Sequence, residues 1–207
     1  SGRPIAIYPD LIFGYACVKQ AAARANAEIG VLGQDKADLI DRTCEEIKDG
    51  KLHDQFIVDI MQGGAGTSTN MNVNEVIANR GLELAGQPKG TYEQLHPNDH
   101  VNRSQSTNDT YPTALKVGLC LAIERLLVEL ELLQQAFHEK GREFSGIVKV
   151  GRTQLQDAVP MTLGQEFSTF AVMLGEDQQR LAEAGALIEE INLGATAIGT
   201  GINSHPG

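Results

Sequence analysis

The longest regular pattern of apolar positions in the chain lies between residues 110 and 140. Its members follow one another in steps of three or four: Leu115, Leu119, Ala122, Leu126, Leu130, Leu133 and Phe137. Because an α-helix returns to the same face every 3.6 residues, this spacing predicts one continuous helix with a single apolar stripe. A second long helix is predicted from Thr162 to about residue 192, with Thr162 and Gln165 forming a capping box at its start.

Shorter helices are predicted upstream, over residues 11 to 30 and 35 to 49, where Gly30 and Gly50 are natural stops. A third is predicted to have its N-cap at or beside Asn72 and to end at Gly86. The two long helices carry more apolar surface than they can cover between themselves. We therefore expect further helices to pack on them, from a longer protein or from other subunits.

Charge and cysteine content narrow the class of protein. The 17 Lys and Arg residues against 27 Asp and Glu residues give a net charge of −10, which argues against nucleic-acid or anionic-membrane partners. Three cysteines in helical segments fit core packing and a reducing compartment. The early apolar run is broken by Pro9 and Asp10, so no membrane span is predicted. A soluble, cytoplasmic protein is expected, and its ends suggest a fragment.

Common ligand motifs are incomplete in this sequence. The glycine-rich GGAGT at 63 to 67 lacks the G-K-[ST] of a phosphate loop, and GATAIGTG at 194 to 201 lacks a dinucleotide fingerprint. His96 and His100 are four residues apart, but Pro97 between them predicts a solvated turn instead of a metal site. No metal ligands are therefore assigned.

Three segments are rich in small hydrogen-bonding side chains: GTSTN at 66 to 70, QSTND at 105 to 109 and GRTQLQD at 151 to 157. Each alone is typical of a helix N-cap. Together they offer uncharged donors expected beside helix N-termini, where free N–H groups attract anions. Such a set can hold carboxylates without full cations, and it comprises Thr67, Ser68, Ser106, Thr107, Asn108, Thr153 and Gln154.

Four long stretches carry a resemblance to a known family: GGAGTSTNMNVNEVIANRGLE, PNDHVNRSQSTNDTYPTA, GRTQLQDAVPMTLGQEF and LGATAIGTGIN. In this order they resemble the aspartase/fumarase superfamily over essentially the whole chain. The resemblance implies a mainly all-α fold. It places an N-terminal helical domain at residues 1–107 and the incomplete start of a central long-helix bundle at residues 108–207.

The choice of branch within the superfamily depends on fewer residues. Fumarate hydratases resemble GSGTQSN, NDDVN, SSND and GRTHLQDA where this chain has GAGTSTN, NDHVN, STND and GRTQLQDA, and all four differences favour the aspartase branch. The HPND at 96 to 99 favours the other, because its histidine resembles the hydratases' secondary dicarboxylate site. Glu93 lies nearby where an arginine is expected, so a secondary site near His96 stays open.

The aspartase branch implies reversible deamination of L-aspartate to fumarate and ammonia, without an organic cofactor, while activation by a divalent metal stays open. Loss of a proton beside the β-carboxylate gives an aci-carboxylate dianion, which the site must bind more strongly than the substrate. Asp109 is expected to support the helix start, since its charge would repel a dicarboxylate. By family analogy the substrate-binding residues are Thr67, Ser106, Thr107, Asn108, Thr153 and Gln154.

The family's general base is a serine in a loop resembling G-S-S-x-M-P-x-K-x-N, and these 207 residues contain no such stretch. The base is therefore expected beyond residue 207, and no catalytic residue is assigned within the chain. The resemblance also implies a homotetramer whose active sites are each shared by three subunits. Two alternatives stay open: a fumarate hydratase, and a helical oligomerisation fragment without turnover.

Overall fold

The computed structural model describes residues 1–62 and 64–206, so Gly63 of the GGAGT segment and Gly207 lie outside the described residues. The predicted, mainly helical fold is confirmed. Its helices are α1 (Pro9–Glu28), α2 (Gln34–Lys48), α3 (Thr67–Leu84), α4 (Thr107–Glu143) and α5 (Leu163–Ile188), with strands β1 (Val148–Thr153) and β2 (Gln156–Thr162) before α5. Single 3₁₀ turns at Ile5–Ile7 and His53–Gln55 and a π-helical turn at Pro97–Val101 complete the order.

The chain forms two compact units. The first unit comprises Ser1–Leu119 and Glu189–Gly207, and the second comprises Cys120–Ile188. The division predicted from sequence, after residue 107, coincides with the start of α4 and stays a prediction. Within the described residues, no helix is both long and apolar enough to cross a bilayer.

Helices α1, α2 and α3 build the core of the first unit. Pro9 opens α1, where its missing N–H needs no partner. Gly14 lets α1 approach α4, because a Cβ at this position would collide with the carbonyl oxygen of Ala114. Cys44 of α2 is fully buried, and burial raises the pKa of its thiol, as expected for a packing residue.

The start of α3 differs from the prediction. The helix begins at Thr67 and not near Asn72, whose side chain instead donates to the Gln55 carbonyl at 3.1 Å. Its first turn is capped from outside the helix, since Gln62 Oε1 accepts the Thr69 N–H at 3.0 Å. The predicted end is confirmed, because Gly86 adopts a left-handed φ of 71° directly after the last turn.

In the second unit, the segment GRTQLQD forms the tip of an antiparallel hairpin and does not cap a helix. β1 and β2 pair in register from Val148↔Thr162 to Thr153↔Gln156, so Gln154 and Leu155 form the turn. Both turn residues have positive φ, 48° and 64°. The expectation that Thr153 and Gln154 lie beside a helix N-terminus is therefore wrong.

The predicted capping box of α5 is confirmed: Gln165 Oε1 accepts the Thr162 N–H at 2.9 Å, and Thr162 Oγ1 accepts the Gln165 N–H at 3.1 Å. The helix ends at Ile188, so Ile191 of the predicted stripe lies beyond it. α4 and α5 meet through a cluster of tilted and edge-to-face rings made by Phe137, Phe144, Phe167 and Phe170.

Much of the apolar surface of the two long helices stays uncovered within this chain. On α4, Leu126 and Leu133 are each 46% exposed and Val128 is 59% exposed, and Val172 of α5 is 58% exposed. Apolar area of this kind is normally covered by other helices or subunits. The excess of apolar surface inferred from the sequence is therefore present in the fold.

Candidate active site

The first turn of α4 carries the richest group of predicted site residues, and it is held by a reciprocal cap. Ser106 Oγ accepts the Asn108 N–H at 3.3 Å, and Asp109 Oδ1 accepts the Ser106 N–H at 2.9 Å. The carboxylate of Asp109 is fully buried. The expectation that Asp109 supports the helix start is confirmed by these contacts.

A distant segment of the same unit packs against this helix start. The second oxygen of Asp109 accepts the Thr196 N–H at 2.9 Å, and Asn108 Nδ2 donates to the Ala197 carbonyl at 2.6 Å. Thr196 adopts a left-handed φ of 61°, and its buried hydroxyl has no partner within the described part of the chain. The segment around GATAIG is thus fixed on α4 by side chains of the QSTND segment.

Pro112 explains a third contact between α4 and that segment. A proline inside a helix has no N–H for the carbonyl four residues earlier, which here is that of Asn108. That carbonyl instead accepts a hydrogen bond from Asn192 Nδ2 at 3.2 Å. A backbone acceptor released by the proline therefore binds a residue from the far end of the chain.

Asn70 joins the first turns of α3 and α4. Its Nδ2 donates to Thr107 Oγ1 at 3.1 Å and to Asn102 Oδ1 at 3.2 Å. On its other side, Asn70 Oδ1 lies 3.2 Å from the hydroxyl of Thr110, which also lies 2.9 Å from the Ser106 carbonyl. The two helix starts that carry Thr67 and Thr107 are therefore tied together by one buried amide.

A buried lysine lies beneath these amides, and the sequence interpretation missed it. Lys19 of α1 has no exposed surface, and its Nζ donates to Asn102 Oδ1 and Gln105 Oε1, each at 2.9 Å. Burial lowers the pKa of Lys19 to about 7, while the charge of Asp109 opposes that shift. The signal was present in the sequence, because Lys19 follows Ile12 and Tyr15 in the helical spacing of buried positions.

The structure gathers four of the six predicted substrate-binding residues in the first unit. Thr67 is exposed at the first residue of α3, Ser106 and Thr107 are half-buried at the start of α4, and Asn108 beside them is exposed. Ser68 follows Thr67 and is exposed too. Thr153 and Gln154 belong to the second unit, where both are exposed at the hairpin tip.

The His96 segment is more ordered than the predicted solvated turn. His96 Nδ1 accepts the backbone N–H groups of Asn98 and Asp99, each at 3.1 Å, and so caps a π-helical turn. The His96 N–H in turn donates to His100 Nδ1 at 2.8 Å. Within residues 1–62 and 64–206, no three His, Cys, Asp or Glu side chains are grouped as a metal site requires.

The two hydroxyls at the start of α4 are each able to donate one hydrogen bond. Ser106 Oγ and Thr107 Oγ1 each accept a hydrogen bond from the protein, so each keeps its own hydrogen for another acceptor. The first turn of a long helix adds the positive end of its dipole. This arrangement can bind an oxyanion such as a carboxylate.

Comparison with known proteins identifies the protein family to which the chain belongs. A sequence profile described as "Lyase" matches residues 6–207, and the chain belongs to this lyase family. It is 59% identical over its full length to an aspartate ammonia-lyase of Pseudomonas aeruginosa and covers 44% of that relative. It is 56% identical, over 96% of its length, to an aspartate ammonia-lyase of Helicobacter pylori and covers 42% of it.

Solved structures share the fold. A fumarate lyase:delta crystallin from Brucella melitensis, bound to cobalt, matches the whole chain at 54% identity with a TM-score of 0.95, over 45% of its own length. A class II fumarase from Schistosoma mansoni matches 96% of the chain at 37% identity with a TM-score of 0.87, over 42% of its own length. The chain thus spans less than half the length of the relatives that it matches.

Proposed function

We propose that this chain is the N-terminal part of an aspartate ammonia-lyase, which deaminates L-aspartate reversibly to fumarate and ammonia. The observation that carries the proposal is the 59% identity to an enzyme of that name over the whole chain. The donor group at the starts of α3 and α4 supports it, because the reaction needs a site that binds a doubly charged carboxylate.

The deamination reaction defines what the donor group must stabilise. A base removes a proton from the carbon beside the β-carboxylate, and the electron pair moves into the carboxylate to give an aci-carboxylate dianion. Return of the pair expels the amino group as ammonia and leaves fumarate. Hydroxyl donors that are already oriented stabilise the extra charge of the dianion without reorganising.

Thr107 and Ser106 are proposed to donate to the β-carboxylate, since both hydroxyls accept from the protein and keep a hydrogen free. Thr67 and Asn108 extend this set in the first unit. Thr153 and Gln154 are proposed to bind the same class of substrate, and their exposed positions leave them available to it.

The remaining parts of the site are proposed to come from outside the 207 residues. The chain contains no G-S-S-x-M-P-x-K-x-N stretch, so the base serine is assigned to the rest of the longer protein. A homotetramer with shared sites is proposed for the whole protein. The exposed apolar side chains of α4 and α5, including Leu126, Leu133 and Val172, support association with further helices. No organic cofactor is proposed, because the reaction needs only acid–base and electrostatic catalysis.

The deciding experiment follows fumarate by its ultraviolet absorbance after L-aspartate is added to the full-length protein. A parallel reaction supplies fumarate in water without ammonia and measures malate. Formation of fumarate from L-aspartate, with no malate in the second reaction, supports the proposal. Malate formation without deamination would identify a fumarate hydratase instead. The 207-residue chain is assayed beside the full-length protein. Turnover in the longer protein only would identify the 207-residue piece as a helical oligomerisation fragment without turnover.

A further inference from the structure

We propose that Lys19 is a positioning residue that sets the direction of a buried hydrogen-bond chain and thereby leaves the Thr107 hydroxyl as a donor toward substrate. The inference rests on the proposed function, since it takes Thr107 to contact the carboxylate. Lys19 itself has no exposed surface, so it acts through the amides between it and Thr107.

The direction of the hydrogen-bond chain is decided at its first contact, between Lys19 and Asn102. Lys19 Nζ lies 2.9 Å from Asn102 Oδ1 and 2.9 Å from Gln105 Oε1. An amide side chain can present either its oxygen or its nitrogen to a neighbour, but a lysine ammonium has three donors and no acceptor. While the amine is protonated, only the oxygen of Asn102 can therefore face Lys19. A neutral amine still has two N–H donors, one for Asn102 Oδ1 and one for Gln105 Oε1.

That orientation passes to the next amide. Asn102 Oδ1 also lies 3.2 Å from the side chain of Asn70, and two oxygens at that distance would repel each other. Asn70 must therefore present its Nδ2, and the second hydrogen of that nitrogen goes to Thr107 Oγ1 at 3.1 Å. The oxygen of Asn70 lies 3.2 Å from the Thr110 hydroxyl, whose single hydrogen it shares with the Ser106 carbonyl at 2.9 Å.

The last link leaves Thr107 with one defined role. Its oxygen accepts from Asn70 on the inside, so its single hydrogen is free for an acceptor on the outside. Without the lysine, the only remaining contact that favours this orientation of Asn102 is the long one from its Nδ2 to the Gln105 carbonyl, at 3.3 Å. Both amides can then reverse, and the Thr107 hydroxyl can donate inward to the oxygen of Asn70. The substrate would then meet an oxygen where it needs a hydrogen-bond donor.

The surroundings of Lys19 also favour a directional role. The titratable groups near its amine are Asp109 at the start of α4, whose carboxylate favours the ammonium, and Cys44 on α2, whose raised thiol pKa keeps it uncharged. Burial disfavours the ammonium more strongly and lowers the pKa to about 7. An apolar side chain of similar length would fill this space with less desolvation. A lysine at such a position is therefore better explained by its hydrogen bonds than by its packing.

The test uses Lys19→Met in the full-length protein, with wild type assayed first on L-aspartate. Methionine keeps an unbranched side chain of similar length but removes the donors. We expect kcat per folded protein to fall by about tenfold to a hundredfold, because one donor to the oxyanion is misdirected. KM should change by less than about threefold, since the effect concerns the transition state. Lys89→Met, at a lysine whose side chain is 63% exposed, should leave both constants unchanged.

A second measurement separates positioning from general stability. If Lys19 acts through Thr107, adding Lys19→Met to Thr107→Val causes no further loss of kcat, because the donor is already absent. Losses that multiply would overturn the inference. Wild-type kcat in folded Lys19→Met would also overturn it while the proposed function stands. Wild-type protein that does not deaminate L-aspartate would instead refute the proposed function, and this inference with it.

A third variant decides the matter if Lys19→Met does not fold. Asn70→Asp keeps the shape of the side chain and leaves Lys19 in place, but its carboxylate cannot donate to Thr107. The Thr107 hydroxyl should then turn inward, and kcat should fall to about the level of Thr107→Val. Wild-type kcat in folded Asn70→Asp would show that the direction of this chain is irrelevant to turnover.

Discussion

Asp109 and Thr196 are 87 positions apart in sequence, and the buried carboxylate of the first accepts the backbone N–H of the second at 2.9 Å. The other oxygen of the same carboxylate accepts the Ser106 N–H at 2.9 Å. One charged group therefore holds the cap of α4 and a loop from the far end of the chain. The donors Ser106 and Thr107 owe their fixed position to both contacts.

Asp109→Asn should destabilise the full-length protein by about 3 kcal/mol. One carboxylate oxygen becomes the NH2 of an amide, which faces a backbone N–H and cannot accept its hydrogen bond. Thermal and denaturant unfolding would measure the loss. Asp99→Asn is the matched control, since its side chain is 75% exposed and the change should lie within about 0.5 kcal/mol. Equal stability of the two variants would contradict the role given to the buried carboxylate.

Thr107→Val should lower kcat on L-aspartate on the order of a hundredfold, because an oriented donor to the developing dianion is lost while the shape is kept. Steady-state kinetics on the full-length enzyme would measure it. Thr113→Val is the control: that hydroxyl donates to the Asp109 carbonyl at 2.7 Å, so its removal should leave turnover near wild type. Unchanged kinetics in Thr107→Val would remove this residue from the proposed substrate-binding set.

The lowered pKa of Lys19 predicts a pH dependence of stability. The ordinary value is 10.5 and the folded value is about 7, so the unfolded chain binds the extra proton between these limits. We compare the free energy of unfolding of the wild type with that of Lys19→Met. This difference should fall by roughly 5 kcal/mol in total as the pH falls from 10.5 to about 7, and it should not change further below pH 7. Denaturant unfolding of both proteins at several pH values would measure the difference between their unfolding free energies. Ionisations that occur in both proteins cancel in this difference. A difference independent of pH above 7 would show that the buried amine stays charged.

Gly66→Ala should destabilise the protein strongly, because two effects add at this position. Its φ of 86° disfavours any residue with a Cβ, and that Cβ would collide with the ring of Tyr111. Gly86→Ala is the control, since its φ is 71° but no atom lies within 4 Å of an added Cβ. We expect about 1 kcal/mol for Gly86→Ala and about 3 kcal/mol for Gly66→Ala in unfolding experiments. Similar losses would mean that the Tyr111 ring can move away.

The helices could be predicted because their signals are local. The apolar period located α4, the Thr162 and Gln165 pair located the start of α5, and Gly86 located the end of α3. The hairpin was missed because its turn is made by Gln154 and Leu155, which are not the Asn-Gly or Asp-Gly pairs that favour positive φ. The start of α3 was misplaced because its cap comes from Gln62, a side chain before the helix.

The candidate site could be predicted less completely than the helices. The polar segments named the donors, but their connections depend on contacts between residues far apart in sequence. Lys19 bonds to Asn102 across 83 positions, and Asn70 bonds to Thr107 across 37. Such pairs leave no local pattern, although a lysine in the register of buried α1 residues was a usable sign. The whole network required the folded chain.

Pro112 links the first turn of α4 to the segment after α5. The Asn108 carbonyl that it releases becomes a receptor for Asn192 only when the first turn of α4 has formed. In the extended chain the same carbonyl is one of many that water satisfies. The contact between Asn192 and this carbonyl therefore requires the first turn of α4. Pro112, a residue usually regarded as a helix breaker, thus couples this turn to the loop that completes the donor-bearing end of the helix.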